Sequence, residues 1–296
     1  MSNQIRLIKQ KITSVKNIGK VTKTMEMISV AKMKKASERA VLGKPYSKYA
    51  LELLHHISKE RNVRHTLMSD VSGTNKVLLV VISSNKGLCG SYNVNISKAL
   101  SNYKKSSGAD ITAVTIGKQS EKAARRNGIE ILGSFIDLNE KSTAEDFAVV
   151  RDLITKEFLT KKYRSVKLLF TEYKSISSYK PFLMQVLPVK EKIYRDILSS
   201  EEEKDDTKKF LNYLFEPDSE EVLGSILEQL LEQALYHAFL ESVAAEHTSR
   251  MAAMKNASDS ASGIVKELTV YYNRERQAGI TKEISEIIGG SIGITS

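Results

Sequence analysis

The sequence predicts an α/β module inserted between the two halves of a long antiparallel coiled coil. Three observations carry this. Both ends of the chain hold an apolar seam at alternating three- and four-residue steps. All four prolines lie between Pro45 and Pro217, so neither end contains the strongest helix breaker. In the middle, short apolar runs alternate with helical stretches, the pattern of a mainly parallel sheet.

At the N-terminal end Ile5, Ile8, Ile12 and Val15 keep the 3-4-3 spacing. The seam then restarts at Ile18, Val21, Met25 and Ile28, three residues on instead of four, a slip that overwinds a coiled coil locally. Gly43 and Pro45 predict a kink or a break, after which "YALELLHHI" is helical again. This segment is set at residues 1–58.

The central module is set at residues 75–190. Strands are predicted at Val77–Ser83, Ile111–Ile116, Ile129–Ile136, Val166–Tyr173 and Phe182–Val189. Helices at Val94–Lys105, Gln119–Asn127 and Ala144–Lys162 separate the first four. This alternation is Rossmann-like, with right-handed crossovers expected. Residues 191–217, including "SSEEEKDDTKK", are a charged stretch predicted to be an exposed linker.

The C-terminal segment, residues 218–290, is predicted as one helix. Its seam runs Leu223, Ile226, Leu230, Gln233, His237, Leu240, Ala244, His247, Met251, Met254, Ser258, Ala261, Val265, Leu268 and Tyr272. Pro217 with Asp218 or Ser219 supplies a start, and Gly289-Gly290 a stop. About 70 residues would make a rod of roughly 105 Å, too long to be buried within its own globule. Small seam residues let two backbones approach closely, while Gln233, His237 and His247 are imperfect core residues. Such a seam is adapted to something besides maximum stability.

Composition narrows the function classes. Of 296 residues 41% are hydrophobic and 27% charged, ordinary for a folded protein. No apolar run approaches the ~20 residues of a membrane span, and the first twenty residues lack a secretory pattern. One cysteine makes no internal disulfide and is too few for a zinc site. The net charge is +10, and residues 1–48, with twelve basic residues and only Glu26 and Glu38 as acids, carry all of it. Such a stretch seeks an anionic partner: nucleic acid, an acidic lipid surface or an acidic protein surface.

The one stretch that invites a catalytic reading is "VLLVVISSNKGLCGSYNVNI". The turn after a first α/β strand is where nucleotide-binding folds place a phosphate loop. Gly87 and Gly90 do not make G-x-G-x-x-G, however, and Lys86-Gly87 is the wrong order for a P-loop. A nucleophilic Cys89 would need a base or a cation beside it. The five histidines (55, 56, 65, 237 and 247) all lie outside the module, and no acid occurs between Asp70 and Asp110. The alternative is a small buried residue at a tight turn. His237 and His247 lack the i, i+4 spacing of helix metal ligands. No catalytic, cofactor or metal site is therefore expected. A basic coiled-coil nucleic-acid-binding protein stays open as an alternative, although no aromatic residue precedes Tyr46 to stack on bases.

Three stretches then carry a resemblance. "ITSVKNIGKVTKTMEMISVAKMKKA", "SSNKGLCGSYN" and "SRMAAMKNASDSASGIVKELTVYYNRERQAGITKEISEIIGG" are similar, in that order, to the signature regions of the gamma subunit of F-type ATP synthase. The resemblance implies a central rotor shaft inside an alpha3-beta3 ring, with the α/β module at the foot beside the epsilon subunit and the c-ring. Ion-driven rotation of the c-ring would turn the shaft, and its asymmetric surface would drive the catalytic beta subunits through their states in sequence. It also implies a non-catalytic subunit without cofactor, no nucleic acid, and membrane association only through the complex.

Residue roles follow the motifs. Met25 in "TKTMEM", Arg250 in "SRMAAM", Gln277 in "RERQAGIT" and Thr281 and Glu283 in "ITKEI" match family positions of coupling or shaft contact. Lys9, Lys16, Lys20 and Lys23 would face acidic loops of the beta subunits. Tyr213 and Glu216 in "NYLFEPD" match the region that meets the c-ring, and Gly87, Cys89 and Gly90 match a fold motif only. Two departures stand out: Ala245 where the family often has Ser, and "SIGITS" running past the usual ending. With the motif beginning a few residues from Met1, no transit peptide is expected, which points to a bacterial protein on the cytoplasmic face of the plasma membrane or else to a mature organelle protein.

Overall fold

A computed structural model describes residues 3–59, 65–190 and 219–292. It has the predicted class, with long helices at both ends and a mainly parallel sheet in the middle. In order come α1 (Asn3–Lys59), β1 (Lys76–Ile82), α2 (Tyr92–Ser107), β2 (Asp110–Ile116), α3 (Lys118–Arg126), β3 (Glu130–Phe135), α4 (Ala148–Leu159), β4 (Ser165–Ser175), β5 (Ser178–Leu187) and α5 (Ser219–Ile292). The chain divides into two compact units. One combines Met1–Val30 with Arg250–Ser296; the other is Ala31–Ser249.

In the larger unit the strand order is β3-β2-β1-β4-β5. The first four strands are mutually parallel, and β5 returns antiparallel to β4 as a hairpin. Strand β1 is central and all but its first residue is buried, because helices cover both of its faces. Leu79 and Val81 pack with Ile96 and Leu100 of α2 and Ala123 and Ala124 of α3. On the other face Leu78, Val80 and Ile82 join Val150, Ile154 and Phe158 of α4 and Leu223, Leu227, Leu230, Leu231 and Leu235 of α5. Each such leucine withdrawn from water contributes roughly 2 kcal/mol, so this stretch of α5 is a structural part of the sandwich. Pro181 falls on the edge strand β5, where a missing N–H interrupts no ladder.

The smaller unit is a pair of helices. Its α1 seam is Ile5, Ile8, Ile12, Val15, Gly19, Thr22, the pair Met25–Glu26, and Ser29, all buried or half-buried. On α5 the predicted seam holds from Met251 to Tyr272 and runs on to Glu275 and Gly279. The helices are antiparallel: Gly19 faces Ala261, and near the other end Gly279 lies beside Ile5.

Three expectations are corrected. The slip in the α1 seam does not exist: Ile18, Val21 and Ile28 are 56%, 58% and 49% exposed, and the regular spacing continues through Gly19, Thr22 and Ser29. Small residues won the interface because they allow close backbone approach. The two polar ones cost little, since Thr22 donates to the Ile18 and Gly19 carbonyls and Ser29 to that of Met25. Gly43 and Pro45 do not break α1, which is helical through both, since a proline removes one N–H while the flanking turns keep theirs. The stop at Gly289-Gly290 is passed, as α5 runs to Ile292. The predicted linker, residues 191–217, lies outside the described residues.

Candidate functional surface

In an open parallel sheet, ligands bind beyond the carboxyl ends of the strands where the chain order reverses. Here that place is between β1 and β4, and α5 fills it. Ser242 Oγ accepts from the Thr171 amide at 3.1 Å, and Ser249 Oγ donates to the Cys89 carbonyl at 2.7 Å. The glycine turn is thus stitched to a helix and closed to a nucleotide. Cys89 is 2% exposed, packed with Tyr92 and Ala245. Its sulfur accepts from Asn93 Nδ2 at 3.1 Å, and Asn93 Oδ1 accepts from the Ser83 and Ser84 hydroxyls. Burial pushes the Tyr92 phenol well above its ordinary range.

Among the described residues no cluster of His, Cys, Asp and Glu could hold a metal. A cleft of about 470 Å³, open to solvent, runs past the end of β3 between Phe135, Leu138, Asp146 and Val149. Asp146 there is occupied by capping the Thr143 amide at 2.8 Å.

The helix pair presents apolar residues outward. On α1 these are Ile18, Val21, Met27, Ile28 and Val30; on α5 they are Ile264, Val270, Tyr271, Ile280, Ile284, Ile287 and Ile288. A two-helix rod has one seam to bury, so this second set is not needed for its own folding. Exposed apolar surface on this scale is an interaction surface. Basic residues are interleaved with it. Lys9, Lys16 and Lys20 are exposed, while Lys23 forms an ion pair with Glu26 at 3.1 Å.

The sequence-predicted contact residues do not form one cluster. Arg250 is buried at 7% exposure, and Met25 is half-buried. Counting from the Gly19–Ala261 pair, Met25 faces the neighbourhood of Lys255, a little over one turn from Arg250. Gln277, Thr281 and Glu283 are exposed, with Thr281 bonded to the Gln277 carbonyl at 3.0 Å. They lie roughly 40 Å along α5 from Arg250, near and beyond the start of α1. Tyr213 and Glu216 fall outside the described residues. Sequence reasoning missed the outward Ile18–Val21–Ile28 stripe, which it had assigned to the seam. It also missed Glu140, which accepts from Lys32 and bonds His247; no periodic signal marks a single acid in a loop.

The family described as ATP synthase matches residues 4–293. Curated relatives bear the same name over nearly full length. The ATP synthase gamma chain of Geotalea uraniireducens is 36% identical, covering 98% of both chains, and that of Pelotomaculum thermopropionicum is 33% identical, covering 98% of this chain and 99% of its own. Among solved structures, a chain of the Euglena gracilis mitochondrial ATP synthase superposes with a TM-score of 0.67 at 18% identity, covering 98% of this chain and 94% of that one. A chain of the Tetrahymena thermophila central stalk and c-ring gives 0.59 at 23% identity, over 80% and 99%. These two likenesses concern the fold.

Proposed function

From the premise that this chain belongs to the ATP synthase gamma-chain family, we propose that it works as the central shaft of an F-type ATP synthase. The gamma chain is a non-catalytic subunit, in keeping with a phosphate-loop position filled by the protein's own helix. The observation that carries the reading is the outward apolar stripe of the helix pair, interleaved with lysines. A rod with that surface fits a ring that encloses it. Its apolar residues would slide against the ring's inner wall, and Lys9, Lys16, Lys20 and Lys23 would meet acidic loops.

The mechanism follows from asymmetry. A two-helix rod is not round in section, and Gln277, Thr281 and Glu283 are exposed on one part of it while Met25 is half-buried and Arg250 buried on another, so its surface would differ around and along the axis. Contacting one beta subunit differently from its neighbours shifts that subunit's conformational equilibrium. Turning the rod passes the shift from one subunit to the next. Chemistry stays on the ring, and the shaft supplies differential contact free energy.

Finer assignments belong to the same proposal. The partners are an alpha3-beta3 ring, an epsilon subunit and a c-ring, the last through Tyr213 and Glu216. Since no helix among the described residues is long and apolar enough to cross a membrane, attachment would come through the complex, at the cytoplasmic face of a bacterial plasma membrane. The nucleic-acid alternative gains no support from the relatives and is set aside. The test is reconstitution. Alpha and beta subunits from the same source are mixed with and without the chain, then assayed by size exclusion and ATP hydrolysis. One copy per complex, with hydrolysis dependent on it, is expected. A chain that elutes alone overturns the reading.

A further inference from the structure

Among the described residues, two charged side chains of α1 and one histidine of α5 meet on a single residue of the α/β module, within the larger unit. Glu140 sits in the loop between β3 and α4. Its carboxylate accepts from Lys32 Nζ of α1 at 2.7 Å and lies 2.8 Å from His247 Nε2 of α5. Its carbonyl accepts from Arg39 Nη1 of α1 at 2.7 Å. His247 is 4% exposed at its side chain, so the carboxylate reaches a buried group. Lys35, Ala36, Leu240 and Val243 complete the small cleft around these atoms.

The support beneath Glu140 is stiff. Asn139 accepts at its carbonyl from the Ser142 amide and at Oδ1 from the Lys141 amide, and its own amide donates to Ser142 Oγ. Asn85, just after β1, donates to the Ile136 carbonyl at 3.0 Å. The loop is thereby bonded to itself and to the central strand's end, the kind of backing that holds a side chain in place.

The two long helices depend on this tie unequally. Helix α5 contributes a row of leucines to the sandwich core. Among the described side chains, α1 contributes only Ala36 and Ala50 to that core, and Met33 Sδ accepts weakly from Tyr173 Oη at 3.7 Å. Two alanines resist sliding poorly, whereas charge-assisted hydrogen bonds are directional.

We propose that Glu140 is a positioning residue that locks α1 to the α/β module, so that torque applied to the module reaches both shaft helices instead of α5 alone. This rests on the shaft reading. The test uses the assembled complex of alpha, beta and this chain, with the ring immobilised and a bead on a cysteine replacing exposed Lys105. The bead's thermal angular variance is measured with the ring at rest, and ATP turnover is measured separately. Variance scales inversely with stiffness, so Glu140→Ala is expected to raise it about two-fold with turnover retained. Lys32→Ala, at an exposed residue, should do the same. The double variant should add little, because both remove one tie. Unchanged variance in both single variants overturns the proposal, including when Glu140→Ala merely lowers thermal stability. A wild-type chain that neither assembles nor rotates overturns the shaft reading instead, and that outcome is recognisable before any variant is made.

Discussion

Gly19 of α1 faces Ala261 of α5 so closely that a Cβ on the glycine would lie 3.4 Å from the alanine's own Cβ. The contact sits midway along the helix pair and sets how near the backbones come. It leaves room for one methyl group and no more.

Gly19→Ala is accordingly expected to be tolerated and slightly stabilising, by about 0.5–1 kcal/mol, because alanine has less backbone freedom to lose in a helix. Gly19→Leu should force the helices apart and destabilise the pair by several times that amount. Circular dichroism melts of the purified chain check both. A melting point lowered equally by alanine and leucine would show that the backbones are closer than the 3.4 Å contact allows.

Cys89→Ser should leave ATP hydrolysis by the assembled complex within about two-fold of wild type. Serine keeps an acceptor for Asn93 Nδ2 and fits the space beside Tyr92 and Ala245, so the cost is a stability change of ~1 kcal/mol. Loss of most activity in a folded variant would return catalysis to the glycine turn.

The same Gly19 explains what the sequence made legible and what it hid. Five strands, three module helices and the α5 seam were readable because large apolar residues recur in them at regular spacing, Leu223, Ile226, Leu230 and Leu240 being examples in the seam. The α1 seam is carried past Val15 by Gly19, Thr22 and Ser29, which register as polar or neutral on any hydrophobic scale. Meanwhile Ile18, Val21 and Ile28 are apolar for a reason outside the chain's own fold. A periodicity reading follows the larger residues and so shifts the seam by one position. The Glu140 tie was hidden for a different reason, since three elements far apart in sequence supply its atoms.

Arg151 of α4 and Glu232 of α5 form an ion pair whose side chains are only 19% and 14% exposed. Burial raises the Glu232 carboxyl, with the Arg151 charge opposing. Glu232→Ala leaves the guanidinium with exposed Asp152 and the charge of Glu228, and should cost about 2–4 kcal/mol in urea unfolding. Replacing both partners, Arg151→Met with Glu232→Leu, should recover most of the loss. Failure to recover it would mean the pair is worth more than an apolar contact of its size.

The hydrogen bond from His247, with that from Lys32 behind it, holds the Glu140 carboxyl down at about 2 from an ordinary 4.5, against the opposing effect of burial. A depressed acid stabilises fully above its unfolded value, and the gain is lost as pH falls through the folded one. Wild type should therefore exceed Glu140→Gln in stability above about pH 4.5, with the gap closing toward pH 2. Because Glu140 is partly exposed, solvent screening keeps the gap small. Urea titrations at several pH values read it, and a gap independent of pH would place the stabilisation in packing.

Arg250 and Gln277 share an implied role in coupling yet differ in burial, so their variants should separate. Arg250 is 7% exposed, so Arg250→Cys removes a long buried side chain and should cost about 1–3 kcal/mol even in the isolated chain. Gln277 is exposed, and Gln277→Leu should change the isolated chain's stability by less than ~0.5 kcal/mol. In the assembled complex both should lower ion pumping relative to ATP hydrolysis, the first partly through a weakened shaft and the second only through its contact with the ring. Melting of the chain alone, set beside pumping in reconstituted vesicles, distinguishes the two. A Gln277→Leu variant with full pumping would remove that residue from the coupling surface while leaving the case for Arg250 intact, because the two lie roughly 40 Å apart along one helix.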